Sequence, residues 1–332
     1  MSSIDILGAP GAPGAPGAPA GPPEGDERGI VARSPLELFW GRLRGDRVAL
    51  VALGVIVFFV VVAVLADPIR RLAGAPGYSF LDKGAIDPQF ATPTGPNGHH
   101  LFGVDDGGGD IFTRVLFGLQ VSLLVAFVST GVALVIGVVV GLLAGYYRGW
   151  VDQVLSRILD VFLAFPVLLL AIGISSSCSL GNGCLGGLLK PGLVTVIVTI
   201  AFVGWTYIAR IVRGQVLSLR EKEFVEAARS LGASNRRIIF SHILPNLVAP
   251  LIVYTSLLIP QNILFEAALS FLGVGVQDPR PSLGSMISAA TQNFSTEWWF
   301  LFFPGVALVL LVLAFNLVGD GLQDALNPKT AT

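Results

Sequence analysis

Over residues 115–147 the chain carries no charged side chain. An α-helix rises about 1.5 Å per residue and a bilayer's hydrocarbon core is about 30 Å thick, so roughly 20 apolar residues cross it. Five further runs meet that length, at about 48–66, 158–178, 191–209, 247–265 and 298–319, and within the longest run 119–146 is the spanning part. The first run starts too far along the chain, and lacks the short apolar core and cleavage site, to be a signal peptide. Composition agrees, with 53% hydrophobic and only 13% charged residues, where a soluble domain carries about 25% charged. Three histidines and two cysteines exclude zinc fingers, iron–sulfur clusters and disulfide-rich scaffolds. The expected fold is an all-α integral membrane protein with six transmembrane helices.

Orientation follows from the basic residues flanking the spans. One set, tails included, holds Arg28, Arg33, Arg42, Arg44, Arg47, Arg148, Arg157, Arg210, Arg213, Arg220, Lys222, Arg229, Arg236, Arg237 and Lys329; the other holds Arg70, Arg71, Lys83, Arg114, Lys190 and Arg280. The richer set predicts cytoplasmic N- and C-termini. Residues 1–34 include successive Gly-Ala-Pro triplets, too few for a collagen-like triple helix, and read as a disordered cytoplasmic tail. The remaining divisions are an N-terminal segment with the first span (35–66), an extracytoplasmic loop or subdomain (67–114), a five-helix core (115–320) containing a cytoplasmic loop (213–246) and a cytoplasmic tail (321–332).

The long basic connection 210–246 carries the most organised polar pattern. Ser218 followed by Glu221 predicts a capping box. Gly232 predicts the left-handed close of about three helical turns between them. Ser234 opens a second helix that Pro245 is expected to end. The first helix interleaves Phe224, Val225, Ala227, Ala228 and Leu231 with Glu221, Lys222, Glu223, Glu226 and Arg229. Such a helix either lies on the membrane surface or docks in a groove of a soluble partner. Adjacent alanines and a glycine, which permit close approach, suit the second.

Glu226-Ala227-Ala228, then Gly232, then Ile243-Leu244-Pro245-Asn246 resembles the EAA loop of bacterial ABC importer permeases, with His242 where the broad pattern has Ile. His100-Leu-Phe-Gly103-Val-Asp105-Asp106 with Asp110 and Arg114 is similar to the external segment of the peptide-importer branch, except that Gly109 stands where that branch usually has Arg. Asp160-Val-Phe-Leu-Ala-Phe-Pro166 resembles its third-helix entry. Glu266-Ala-Ala-Leu-Ser-Phe-Leu-Gly-Val-Gly-Val-Gln277, with Pro281-Ser-Leu-Gly284-Ser-Met286, looks like the C-type subunit of dipeptide, oligopeptide or nickel importers. Its C-terminal ending resembles Gly319-Asp-Gly-Leu-Gln-Asp-Ala-Leu-Asn-Pro328. The resemblance covers about 34–328.

It implies a type I ABC importer permease in a bacterial cell membrane, importing di- or oligopeptides by alternating access. Two ATPase subunits, a homologous permease completing a heterodimer, and an extracytoplasmic substrate-binding protein are the implied partners, beside the lipid bilayer; no nucleic acid is expected. Glu226, Ala227, Ala228, Gly232, Ile243 and Pro245 are the implied ATPase-coupling residues. ATP and Mg belong to the partner ATPases, and no cofactor or metal is expected on this chain. It has no GxxxxGK[ST] phosphate loop and neither HExxH nor GxSxG, so an enzymatic role is not expected. A nickel or other small-solute importer, an ion-gradient-driven secondary transporter, and a structural or signalling membrane protein are the alternatives.

Other residues keep two readings. Glu266 is a candidate gate or pathway residue, or a packing residue for the 270–277 loop; Asp160 is a candidate pathway residue, a helix cap or a partner of Arg157. Cys178 and Cys184 form a disulfide or stay free. Gly137, Gly141 and Gly145 allow close helix approach, within the chain or against a second permease. His99 and His100 read as polar loop residues rather than metal ligands. Gly181-Asn-Gly183-Cys-Leu-Gly186 spells a dinucleotide fingerprint without its strand–helix setting, and Asn293-Phe-Ser295 is a glycosylation sequon by spelling only.

Overall fold

The computed structural model describes residues 41–89, 92–179, 183–184, 192–277 and 279–326. The Gly-Ala-Pro tail, most of 181–186 and the chain end from 327 lie outside the described residues. What is described is helical, with isolated bridges but no strand. In chain order the helices are α1 (Arg47–Val64), α2 (Ala66–Leu72), α3 (Ile111–Tyr146), α4 (Trp150–Ala164), α5 (Val167–Ser179), α6 (Leu193–Leu219), α7 (Glu223–Ser230), α8 (Asn235–Phe271), α9 (Leu283–Ala290) and α10 (Trp298–Leu326). Five of them, α1, α3, α6, α8 and α10, are each long and apolar enough to cross a bilayer.

The single spanning helix expected over 158–178 is replaced by α4 and α5, which meet at 86°. Pro166 is the reason. Its ring excludes the helical conformation from the residue before it, and Phe165 accordingly sits in extended backbone at φ −86°, ψ 140°. At Pro245 the outcome is reversed, because the helix expected to stop there continues to Phe271. Residues Ile238–Ile243 form a π-helical turn in which the Leu244 amide reaches back to the Ile239 carbonyl. The widened ladder accommodates a residue with no N–H to give.

Helix α3 is the hub, packing against α1, α6, α8 and α10. Its contact with α6 is unusually close. A Cβ added at Gly137 would lie 2.6 Å from Ile208 Cβ, at Gly141 2.6 Å from Val212 Cβ, and at Gly145 2.7 Å from Val216 Cβ. Small residues every fourth position on one helix thus receive branched residues every fourth position on the other, and the glycine stripe is filled within the chain. Around this seam Leu142, Trp205, Ile208 and Val216 form one core with Val225 and Ile238, while Phe59, Leu123, Ile263 and Leu311 centre a second among α1, α3, α8 and α10.

The two ends of the bundle differ. At the end where α3 begins, residues 73–89 and 92–110 form a loop segment pinned by the bridges Leu81–Gly109, Ile86–Pro93 and Val104–Asp110. Asp110 caps α3 by accepting from the Thr113 amide at 2.8 Å, and its other oxygen lies 2.9 Å from His100 Nδ1. Trp299, at the start of α10, donates its indole N–H to the Val104 carbonyl at 3.1 Å, and Phe102 stacks on Phe303 with ring centroids 3.9 Å apart. The opposite end carries α7 and the start of α1, capped by Asp46. These ends are called the loop face and the α7 face below.

Candidate functional site

The α7 face is assembled by residues 146–152 and 210–243. Helix α6 runs on through Ser218 to Leu219, so the expected Ser218–Glu221 capping box does not form. The N-cap of α7 is Lys222, without a side-chain hydrogen bond, and α7 spans eight residues rather than three turns. Glu221 is used elsewhere, pairing with Arg148 and Arg220. Arg220 in turn donates to the carbonyls of Gly145 at 2.9 Å and Tyr146 at 3.2 Å, satisfying the open end of α3. Tyr146 completes the tie by donating its hydroxyl to Asn235 Oδ1 at 2.8 Å. The connection is therefore bolted to the ends of both helices of the glycine seam.

Gly232 ends α7. Its φ of +79° is open to glycine at little cost and to a side chain only under strain. The Gly232 amide donates to Arg229 O at 2.9 Å and the Ala233 amide to Ala228 O at 3.0 Å, a Schellman close. Ser234 then caps the start of α8, accepting from the Arg237 amide at 3.4 Å.

One stripe of α7, Val225 and Ala228, is buried on Ile238, Ile239 and Ile243. The rest of the helix faces outward: Phe224, Glu226, Ala227 and Arg229 are exposed, and Leu231 just beyond the helix is 89% exposed. Phe224, Ala227 and Leu231 stand at i, i+3 and i+7, a second apolar strip flanked by Glu223, Glu226 and Arg229. The sequence pattern showed both alanines but not their division. Ala228 belongs to the protein's own core and Ala227 to the open face. Ile243 is fully buried beneath α7, whereas Pro245 is exposed at the head of the long part of α8.

Asp160 does not cap a helix or pair with Arg157. It lies inside α4 and bonds Arg210 of α6 at 3.0 Å. A turn or so away, Asp152 holds Arg213 through two bonds of 2.7 and 3.1 Å. A bidentate, half-buried fork of this kind is stronger than the exposed Asp160 pair. The partners lie too far apart in sequence for spacing to reveal them. Beside them a groove of about 970 Å³ is lined by Asp152, Ser156, Arg157, Asp160 and Arg213.

Glu266 is fully buried in α8. Ser122 of α3 donates to its Oε2 and Ser270 to its Oε1, each at 2.7 Å, and the Val276 amide donates to Ser270 Oγ at 3.1 Å. The geometry matches the packing reading, because the carboxyl fastens the loop after α8 onto α3. Cys178 and Cys184 are joined by a disulfide. On the loop face Asp105 pairs with Arg114 at 2.7 Å. Gly109 lies against that pair, where a Cβ would fall 2.6 Å from both Arg114 Nε and Asp105 Oδ2. Burial pushes the Asp105 carboxyl up despite Arg114. Burial, then the nearby Asp106 and Asp105, push Glu297 up to about 7. Among the described residues no group of three or more His, Cys, Asp or Glu is placed to hold a metal.

Comparison with known proteins places this architecture. Residues 34–74 match the N-terminal TM domain of oligopeptide transport permease C. The dipeptide transport system permease protein DppC of Alkalihalophilus pseudofirmus is 41% identical over 298 residues, 90% of this chain and 91% of that protein. The glutathione transport system permease protein GsiD of Salmonella typhimurium is 42% identical over 297 residues, with 90% and 91% covered. An inward-facing structure of the MetNI methionine ABC transporter superposes with a TM-score of 0.53 at 22% identity, over 63% of this chain and 94% of that one, a likeness of fold. Residues 137–332, which include α7 and the π turn, match the binding-protein-dependent transport system inner membrane component, and the chain belongs to that family of membrane permeases.

Proposed function

We propose that this chain is one permease of an ATP-driven importer of di- or oligopeptides, with α7 as the element that docks on an ATPase subunit. The observation that carries the reading is the double-sided character of α7. Its inner stripe, Val225 and Ala228, is already satisfied by the chain's own core, yet Phe224, Ala227 and Leu231 remain as an open apolar strip edged with charge. A groove-docking helix looks like this before its partner arrives.

In this reading the α7 face is cytoplasmic, as its basic residues suggest, and the loop face receives a substrate-binding protein. Glu226 and Ala227 touch the ATPase, Ala228 and Ile243 seat α7 on the permease, and Gly232 and Pro245 fix the chain path on either side of the π turn. When paired ATPases close on ATP, the push on α7 reaches α3 and α6 through Arg220 and Tyr146. No substrate bond breaks. The work is a shift of population between outward- and inward-facing states. Glu266 holds the loop after α8 in register, and Asp160 with Arg210 stands at the inner mouth of the pathway. ATP and Mg stay on the two ATPase chains, and a homologous permease supplies the second half of the pathway in a bacterial inner membrane. The names of the DppC and GsiD relatives support peptides as the cargo.

The test is uptake of labelled dipeptide by proteoliposomes holding the permease pair, ATPases and binding protein. Uptake should need hydrolysable ATP and should fall in Glu226→Lys and Gly232→Val, with less ATPase co-purifying. Uptake driven by a proton gradient alone, or both variants behaving as wild type, would overturn the reading.

A further inference from the structure

Halfway along the bundle, between α5, α6 and α8, lies a cavity of about 260 Å³. Its wall includes Val167, Gly204, Tyr207, Gln261, Asn262 and Phe265, and none of its lining residues is charged. Gln261 and Tyr207 are both exposed and make no hydrogen bond to the described residues, although each sits well inside a span. A side-chain amide set against hydrocarbon without a partner is strongly disfavoured, so such a position calls for water, a ligand or another polar surface. Asn262 is better held. Its amide donates to Thr130 Oγ1 at 2.7 Å, which fixes the side chain and leaves its oxygen as an acceptor.

The backbone around the cavity is interrupted on two sides. Val167 is the first residue of α5, directly after the 86° break at Pro166. On the other side Pro260 stands inside α8 just before Gln261, so the Ser256 carbonyl lacks its usual amide donor. Broken or proline-interrupted helices at mid-membrane depth are tolerated where they line a cavity. Polar residues follow along α6 from the cavity: Tyr207 is one turn from Arg210, which pairs with Asp160, and Arg213 comes next, paired with Asp152 in the wall of the groove of about 970 Å³.

We propose that this cavity is a mid-membrane subsite for the backbone amides of a peptide in transit, with Gln261 and Tyr207 as its hydrogen-bonding contacts and Asn262 as a fixed acceptor. The proposal rests on the importer reading and names the chemistry of its pathway. Neutral amide and phenol groups exchange bonds with a peptide N–H or C=O whatever the side chains are. Without a fixed charge nothing in the cavity traps a terminus, so passage is weakly held and tolerant of sequence. Phe265 and Val167 supply the apolar wall against which side chains slide.

The experiment uses the complete importer in proteoliposomes. Both cysteines of the chain are consumed in the Cys178–Cys184 disulfide, so an introduced thiol is this chain's one free thiol and labelling is read on this chain after the subunits are separated. Gln261→Cys and, as a control at an exposed apolar position, Val135→Cys on α3 (66% exposed) are exposed to a membrane-impermeant thiosulfonate. Gln261→Cys should label about tenfold faster than the control or more, and transported dipeptide with ATP should slow it. Labelling as slow as at Val135→Cys would overturn the subsite, and fast labelling that dipeptide leaves unchanged would overturn its assignment to peptide. In parallel, Gln261→Leu should lower dipeptide uptake by about tenfold, the order expected for a lost buried hydrogen bond, with ATP hydrolysis near wild type and partial rescue by Gln261→Asn. Undiminished uptake in Gln261→Leu would also overturn it. If the unmodified importer takes up no peptide, the cargo reading fails, while the labelling still decides whether the cavity is a water-lined path.

Discussion

Two sets of small residues in this chain look alike in sequence and behave oppositely in space. Gly137, Gly141 and Gly145 face Ile208, Val212 and Val216 so closely that no further atom fits. Ala227 is exposed, and Gly232 has nothing within 4 Å of where a Cβ would stand. In the first set the missing side chains are the contact, because two helices in lipid associate through close packing rather than through hydrophobic burial. In the second set the room is vacant, at the end of a helix whose inner stripe is already filled. Smallness by itself means only that something approaches. Whether that something is already part of the chain separates a structural seam from a docking surface.

The comparison breaks most sharply at the seam. Gly141→Leu should cost about 3 kcal/mol or more, since its Cβ alone would collide with Val212 and overpacking has nowhere to relax. The check is thermal unfolding of detergent-solubilised protein, and a stable Gly141→Leu would mean the seam is looser than drawn. Next comes Glu266→Ala, at about 2–4 kcal/mol. It strands the Ser122 and Ser270 hydroxyls and leaves Ser270, which holds the Val276 amide, without its anchor. Glu266→Gln, which keeps one acceptor, should recover part of that loss.

A pH experiment probes the loop face, which neither set of small residues touches. Glu297 rises from 4.5 to about 7 in the folded protein. A carboxyl raised on folding contributes its stability below pH 4.5 and loses it as pH climbs through 7. Stability of the wild type should therefore fall by about 1–3 kcal/mol between pH 5 and pH 8, and Glu297→Gln should flatten that slope. An equal slope in both proteins would show that burial beside Asp106 and Asp105 keeps Glu297 no more protonated than water does. The smallest stability effect belongs to the open strip. Ala227→Arg should change unfolding by about 0.5 kcal/mol at most, as exposed substitutions do, yet reduce co-purification of the ATPase. A large loss of stability would place Ala227 in the core instead and erase the contrast with Gly141.

Much of the frame was legible along the chain. Uncharged runs marked the spans because hydrocarbon tolerates few charges, and Gly232 and Ser234 marked their turn because a left-handed residue and an N-cap are local demands. Proline was read less well. Pro166 divided a run expected to be one helix and Pro245 spared a helix expected to end, since the effect of a missing N–H depends on whether the neighbouring ladder can widen. The Ser218–Glu221 box failed for a related reason. Arg148 and Arg220 offered Glu221 charges, which a local amide does not match.

The sequence by itself determined that this is a helical membrane chain, which five segments are long and apolar enough to cross, and where one short amphipathic helix lies, because these follow from local hydropathy and backbone chemistry. Only the tertiary structure decided that Ala228 is core and Ala227 surface, that Asp160 answers Arg210 rather than Arg157, and that Glu266 fastens a loop. It also brought Gln261 and Tyr207 to one cavity. Those are relations between residues tens of positions apart, set when α3, α6 and α8 pack, and nothing in the spacing of a single helix encodes which neighbour will arrive.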